Sequence, residues 1–308
     1  MLISDQEHAH LVPKRRRAGL RTAVIVHDLF TIAPRTIQLS DGPMKEFDGK
    51  HGPVRFVDLR RLKRGLKRAD LLVCVSSATK DRCEEVFPGV KAVHVPSGLN
   101  LSRYAPVEPD VHDPPGGCAL LVVGSDDARK RMDFLARVLG ACPDDVRKDL
   151  HLVRVGGGQT EAGRTALRTA MEWAGVRLTL RDRIEESELQ ALRRRCEALL
   201  FPSAAEGYGY PPIEAMAAGL PVLASDMPNH GSMVHPSCLL PVDDVEAWVD
   251  RICDLHATWM LRTEGGSIWT PRTPNDVLMA HARNFSTTAQ AEGLRAALDG
   301  LIASTPDR

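Results

Sequence analysis

The chain has 308 residues, 43% of them hydrophobic and 26% charged, and its 40 Lys/Arg balance its 40 Asp/Glu to a net charge of zero; this is the composition of a folded globular protein with room for two α/β domains, and it argues against large-scale disorder. The seven cysteines are scattered, odd in number and without a C-x-x-C pair, which argues against a disulfide framework or a zinc site and points to a reducing cytoplasm. No apolar run is long enough to span a bilayer, and none comes after Lys14-Arg15-Arg16-Arg17 as a signal peptide requires, so neither membrane insertion nor secretion is expected.

The neutral total conceals an asymmetry: residues 1–105 hold 19 Lys/Arg against 11 Asp/Glu, about +8, and the remainder holds about −8. Taken in chain order, 22–27 reads as a buried strand, 54–68 as a helix, 71–75 as a strand, 77–86 as a helix capped near Ser76, and 92–95 as a strand. The helix at 54–68 carries Arg60, Arg61, Lys63, Arg64, Lys67 and Arg68 around a stripe of Leu59, Leu62 and Leu66. Two readings fit it: an interfacial helix giving peripheral contact with anionic lipid at the inner membrane face, or a surface helix whose Leu stripe packs on its own domain. Nucleic acid is not an expected partner, because aromatics are few and none alternates with the basic residues.

Residues 103–117, with Pro106, Pro109, Pro114, Pro115 and two adjacent glycines, have the composition of a linker. A second unit then opens: strand 118–123, helix 131–140, strand 150–155, helix 160–173, strand 176–180, helix 186–195 and strand 198–201. Regular alternation at this spacing predicts a parallel, doubly wound α/β sheet. The expected organisation is a short first domain at 1–105, a linker at 106–117, a second domain at 118–284, and a helix within 285–308 that packs back on the first domain.

The chemistry concentrates in the run FPSAAEGYGYPPIEAMAAGLPVLASD at 201–226. The apolar residues Ala198-Leu199-Leu200-Phe201 end at Pro202-Ser203, so the turn beyond them stands at the carboxyl end of a buried strand, where α/β sheets bind ligands. Gly207 and Gly209 let backbone N–H groups approach a ligand, Pro211 and Pro212 suit a helix start, and the amides with the helix dipole favour an anion. Glu206 lies before the turn and Glu214 about one helical turn inside it, both as hydrogen-bond acceptors of the kind that hold vicinal hydroxyls. An ordinary strand-turn-helix with solvated carboxylates is the plainer reading of the same residues.

Three further turns carry polar chemistry. Val122-Val123-Gly124-Ser125 leads through Asp126, Asp127 and Ala128 to Arg129-Lys130, a glycine turn and a basic pair at a helix start, as a diphosphate clamp requires; two solvated cations at a helix end fit the same pattern. Leu152-Val153-Arg154-Val155 runs into Gly156-Gly157-Gly158-Gln159, which would let a ligand approach the backbone, or simply end a strand. Val24-Ile25-Val26 ends at His27-Asp28, where His27 would bond a ligand hydroxyl with Asp28 orienting it, or satisfy local backbone groups.

The run from Glu206 to Glu214 resembles the E-x7-E signature (EGFG-P-x-x-EAMA-x-G-x-PV) of the family-4 retaining glycosyltransferases, and the Leu152–Gly157 segment resembles that of mannosyltransferase-like members. His27-Asp28-Leu29, Val75-Ser76, Pro96-Ser97-Gly98-Leu99-Asn100 and the glycine turn before Arg129-Lys130 are similar to further segments of that family. The resemblance implies a GT-B fold: two Rossmann-like domains whose parallel sheets face a cleft, here with a truncated N-terminal one. It implies a nucleotide-diphosphate sugar as donor substrate, no cofactor, and an acceptor (saccharide, lipid or small molecule) chosen by loops such as 40–53.

By the same resemblance Glu206 holds hydroxyls of the transferred sugar, Gly207, Tyr208, Gly209 and Tyr210 offer amides to phosphate, and Glu214 holds the ribose. Gly124, Gly156 and Gly157 line the nucleotide, and Lys130 with Arg129 neutralises the departing diphosphate. Glu206, Lys130 and His27 are the expected catalytic residues. No Asp-x-Asp lies at a convincing strand end, so a metal-independent, front-face transfer is the implied mechanism. Only about twenty residues precede the His27 strand, where the family places several strands, and Ser232 stands where relatives often carry Glu. A compact enzyme, a split enzyme completed by a protein partner, and a non-catalytic donor-binding subunit all fit these departures.

Overall fold

The computed structural model describes residues 1–15, 18–46, 53–104, 116–125, 127–157, 160–263 and 272–304. Arg16, Arg17, Asp126, Gly158, Gln159, most of the expected linker and part of the expected acceptor loop lie outside the described residues. The chain divides into two compact units: unit 1 comprises Met1–Asn100, Ala205–Gly209 and Phe285–Arg308, and unit 2 comprises Leu101–Ala204 and Tyr210–Asn284.

In chain order, unit 1 begins with β1 (Leu2–Ile3), a 3-10 turn at Gln6–Leu11, β2 (Ala23–Val26), β3 (Thr36–Leu39), β4 (Gly42–Lys45), α1 (Pro53–Leu66), β5 (Leu71–Cys74), α2 (Ser77–Val86) and β6 (Ala92–His94). Unit 2 holds β7 (Cys118–Val123), α3 (Met132–Ala141), α4 (Asp144–Arg147), β8 (Leu150–Val155), α5 (Glu161–Ala174), β9 (Arg177–Arg181), α6 (Glu186–Arg195), β10 (Ala198–Phe201), α7 (Tyr210–Ala217), β11 (Val222–Ser225), β12 (Leu239–Leu240), α8 (Val245–Thr263) and α9 (Asp276–Ala282). The last helix, α10 (Thr287–Ala303), returns to unit 1.

The unit 1 sheet has the order β1-β2-β5-β6, all parallel, and β3 pairs with β4 as a separate antiparallel hairpin. Alternation across the pleat makes two cores. Val24, Val26, Leu72 and Cys74 face Leu59, Leu62 and Leu66 of α1 and Cys83 and Phe87 at α2. Ala23, Leu71 and Val73 face the other way with Val95, onto Leu301, Leu294 and Leu298 of α10. Because both faces are covered, the strands read as continuous apolar runs. The α1 stripe is thus spent inside unit 1: Leu59, Leu62 and Leu66 are buried, while Phe56 and Val57 stand exposed on the basic outer face. Ser76 caps α2 through Thr79 N at 3.1 Å, and Ser286 caps α10 through Ala289 N at 3.1 Å.

Unit 2 is a six-stranded sheet of order β12-β11-β10-β7-β8-β9 with every pair parallel. The chain winds from β7 outward through β8 and β9, then returns to β10 on the other side of β7 and winds the opposite way. This doubly wound order places a topological switch point between β7 and β10, and at such a point the loops diverge and leave a crevice at the carboxyl ends of the strands. The core beneath it joins Leu120, Leu152 and Leu200 of the sheet to Phe134, Leu135, Val138 and Leu139 of α3 and to Trp248 and Ile252 of α8. The α/β alternation and the parallel sheets agree with the expected fold class.

Candidate functional site

The crevice at the switch point is lined by Val122, Gly124, Ser125, Lys130, Phe201 and Ser203, among others. Lys130 sits on a 3-10 turn (Ala128–Lys130) directly after the β7 loop, is 9% exposed, and holds its ammonium 5.0 Å from the Phe201 ring centroid. Its stem runs beside Gly124. The turn is tied to the end of β10 by its backbone: the Arg129 carbonyl accepts from Ala204 N at 2.8 Å and from Ser203 Oγ at 3.2 Å. The Arg129 guanidinium donates to Asp127 Oδ2 at 3.1 Å, which also accepts from Ser125 Oγ at 2.6 Å. Burial works against the Asp127 charge, but the Ser125 hydroxyl and Arg129 outweigh it and hold the carboxyl below its usual range.

The glycine turn after β8 closes on the one after β7. Gly156 N donates to Arg181 O at 3.0 Å, and a Cβ on Gly156 would lie 1.9 Å from the Gly124 carbonyl oxygen, so only glycine fits there. Gly157 lies next to Arg183. Arg154, buried at 1% exposure in β8, donates to Ser125 O at 3.0 Å and so braces the β7 loop from the neighbouring strand. The sequence alone assigns Arg154 no role; its one signal is an arginine inside a mostly apolar strand.

Arg131, next after Lys130, is the one non-glycine residue with positive φ among the described residues, at φ 52°. A left-handed residue with a Cβ costs about 1–2 kcal/mol, and the side chain compensates. It is 3% exposed, donates to Val242 O at 2.7 Å and to Asp243 Oδ1, and lies 4.3 Å from the Phe134 ring centroid. Asp243→Ala is expected to lower unit 2 stability by about 2 kcal/mol by leaving a buried guanidinium under-satisfied. Urea unfolding checks this, and no shift in midpoint would rule it out.

Glu214 projects from α7 in unit 2. Its Oε1 accepts from Tyr104 OH at 3.2 Å and its Oε2 from Arg193, whose side chain is 2% exposed. Burial raises the Glu214 carboxyl above its usual range, and the Arg193 charge offsets only part of this. Tyr210 begins α7 and is exposed.

The turn Ala205–Gly209 belongs to unit 1, apart from the strand and helix that flank it. Tyr208 OH donates to Ser97 O, and Gly207 O accepts from Thr79 Oγ1 at 3.3 Å. A Cβ on Gly207 would come 2.5 Å from His27 O, so the expected site residues His27 and Gly207 meet at their backbones. His27 N donates to Gln6 Oε1 at 2.9 Å, its ring Nε2 lies 3.3 Å from Ser4 O, and Asp28 Oδ1 accepts from Phe30 N at 3.0 Å. Local backbone therefore occupies both side chains in part. Glu206 lies on this unit 1 turn, and Gly124, Arg129, Lys130, Gly156, Gly157 and Glu214 lie in unit 2. Among the described residues no group of three or more His, Cys, Asp or Glu is placed to hold a metal ion, and no helix is long and apolar enough to cross a membrane.

Residues 117–258, which hold most of unit 2 and the turn Ala205–Gly209, match the family Glycosyl transferases group 1. This stretch is similar to a group 1 glycosyltransferase domain. The chain is 35% identical over 101 residues, 30% of its length, to the O-antigen chain mannosyltransferase RfbU of Salmonella typhimurium, covering 29% of that protein. Across four curated relatives, mannosyltransferases among them, the chain spans from 29% to 66% of their length. Sucrose-phosphate synthase from Thermosynechococcus elongatus has a similar structure, with a TM-score of 0.71 at 21% identity over 99% of this chain and 74% of that one. Anabaena HepE, solved with UDP-glucose, gives 0.64 at 15% identity over 91% of this chain and 72% of that one. The parallel α/β fold is accordingly that of the GT-B structures.

Proposed function

We propose that the chain transfers a sugar from a nucleoside-diphosphate donor to an acceptor hydroxyl, with retention of anomeric configuration, and that unit 2 holds the donor. Lys130 carries this assignment: a cation 9% exposed, at the switch point between β7 and β10, where doubly wound sheets bind nucleotides. The glycosyltransferase relatives and the UDP-sugar complex of HepE support the donor class and favour an enzyme over a non-catalytic subunit.

The chemistry is set by charge. As the glycosidic C–O bond to the diphosphate breaks, negative charge grows on the leaving oxygen, and a fixed ammonium beside it stabilises the transition state more than the ground state. Lys130 fills that role. The departing phosphate takes the acceptor proton on the same face of the sugar, so no enzyme nucleophile is required. Glu214 orients the hydroxyls of the ribose.

Isothermal titration with UDP-glucose, GDP-mannose and the free diphosphates tests the assignment. At least one is expected to bind with Kd between about 1 µM and 1 mM, the usual range for enzyme substrates. Folded protein that binds none of them would overturn it.

A further inference from the structure

Glu214 is assigned to the donor's ribose, yet it already serves two donors inside unit 2: Tyr104 OH on Oε1 at 3.2 Å and the Arg193 guanidinium on Oε2. A carboxylate offers about four acceptor positions, so the contacts leave room for two more hydrogen bonds. Arg193 is held on every side. It is 1% exposed, donates to Glu186 Oε1 at 2.9 Å, stacks 5.2 Å from the Tyr104 ring centroid, and its carbonyl accepts from Arg272 at 2.8 Å. A planar cation fixed in this way sets the orientation of the carboxylate that meets it.

Ionisation is at stake as well as orientation. Burial pushes Glu214 toward its neutral acid, and a neutral acid presents an O–H donor where a diol needs acceptors. The charged and titratable groups that face Glu214 are Arg193 and Glu186 of α6 and Tyr104 of the 3-10 turn Leu101–Tyr104; Arg193 is the cation among them.

We propose that Arg193, aided by Tyr104, is a positioning residue that holds Glu214 turned so that its remaining lone pairs accept the 2′- and 3′-hydroxyls of a ribonucleoside diphosphate. This rests on the donor assignment above. Of Arg193, Arg194 and Arg195 it is Arg193 that faces inward, so the role is specific to one of three chemically identical neighbours.

The test compares binding of UDP, GDP, dUDP and dGDP to wild-type protein and to Arg193→Met, Arg193→Lys and Tyr104→Phe. For wild type, the ribonucleotide that binds is expected to lose about tenfold in affinity on loss of the 2′-hydroxyl, the weight of a hydrogen bond to a charged acceptor. Arg193→Met is expected to bind ribose and deoxyribose forms within about twofold of each other, with deoxyribose affinity changed by less than about threefold, and Arg193→Lys to fall between. A purely structural role would weaken both forms equally. Folded Arg193→Met that keeps the tenfold ribose preference overturns the proposal, as does tighter ribonucleotide binding, which would mean that Arg193 withholds Glu214 from the ligand. Should Arg193→Met not fold, Tyr104→Phe removes one hydroxyl and is expected to cut the preference to about a third; no change overturns the proposal. Wild-type protein that binds neither UDP nor GDP removes the donor assignment itself and this role with it, whereas binding with no variant effect removes only the positioning role.

Discussion

Lys130→Met is expected to lower the turnover number for sugar transfer by about 10²–10³-fold, the loss seen when one preorganised stabiliser of transition-state charge is removed. The substitution keeps a long unbranched stem in the channel beside Gly124 and against Phe201, so packing survives while the charge does not. Stability is expected to change little, because an apolar replacement of a buried cation is often neutral or mildly favourable. Nucleotide affinity is expected to fall much less than turnover, because the charge matters most when the leaving oxygen gains its full negative charge. Steady-state kinetics with a responsive donor, beside calorimetry with its free diphosphate, separate the two effects. A turnover number within tenfold of wild type would remove Lys130 from the chemistry, whatever happened to binding.

Trp248→Ala is expected to destabilise unit 2 by about 3–5 kcal/mol, the range for truncating a large buried aromatic. Trp248 is fully buried, meets Phe134 edge-on with ring centroids 5.6 Å apart, and donates its indole N–H to Pro241 O at 3.0 Å. It thereby fastens α8 to α3, and α3 begins immediately after the turn that carries Lys130. Trp248→Phe is expected to recover part of the loss, leaving about 1 kcal/mol for the missing indole donor. Urea unfolding followed by far-UV circular dichroism measures both, and an alanine variant that loses under about 1.5 kcal/mol would mean that the cavity collapses and that the helix pair has other anchors.

The unit 2 sheet was legible because its central strands are buried on both faces. Cys118–Val123 and Leu150–Val155 appear in the structure at the bounds their apolar runs suggested, and so does the helix Glu186–Arg195. Short elements were not legible. β1 and β12 have two residues each, too few for any periodicity, and in the half-exposed β3-β4 hairpin the alternation of Thr36-Ile37-Gln38-Leu39 is only four residues long and is paired with Gly42-Pro43-Met44-Lys45. The long helix α8 is absent from the expected elements, which leave residues 227–284 unassigned, although Trp248, Ile252 and His256 recur at helical spacing.

Within the candidate site, the placement of the glycine turns and Lys130 at strand ends was readable because each comes directly after an apolar run. Arg193 and Tyr104 were not. Three consecutive arginines look alike until one knows which face of α6 is buried, and the tyrosine lies 110 positions from the carboxylate that it bonds. The division of the Glu206–Glu214 run was equally hidden: nothing in its residue types says that Ala205–Gly209 packs with unit 1 and α7 with unit 2.

Unit 1 is assembled from three separated stretches of chain, and α10, which covers one face of its sheet, comes from the last of them. During synthesis unit 2 is therefore complete once Asn284 has been made, while Ala23, Leu71 and Val73 still wait for the segment that shelters them. The nascent chain passes through a stage with one finished domain and one bare apolar sheet face, the kind of surface that holding chaperones recognise. The order of manufacture, and not only the final packing, makes α10 the step that closes this face of unit 1.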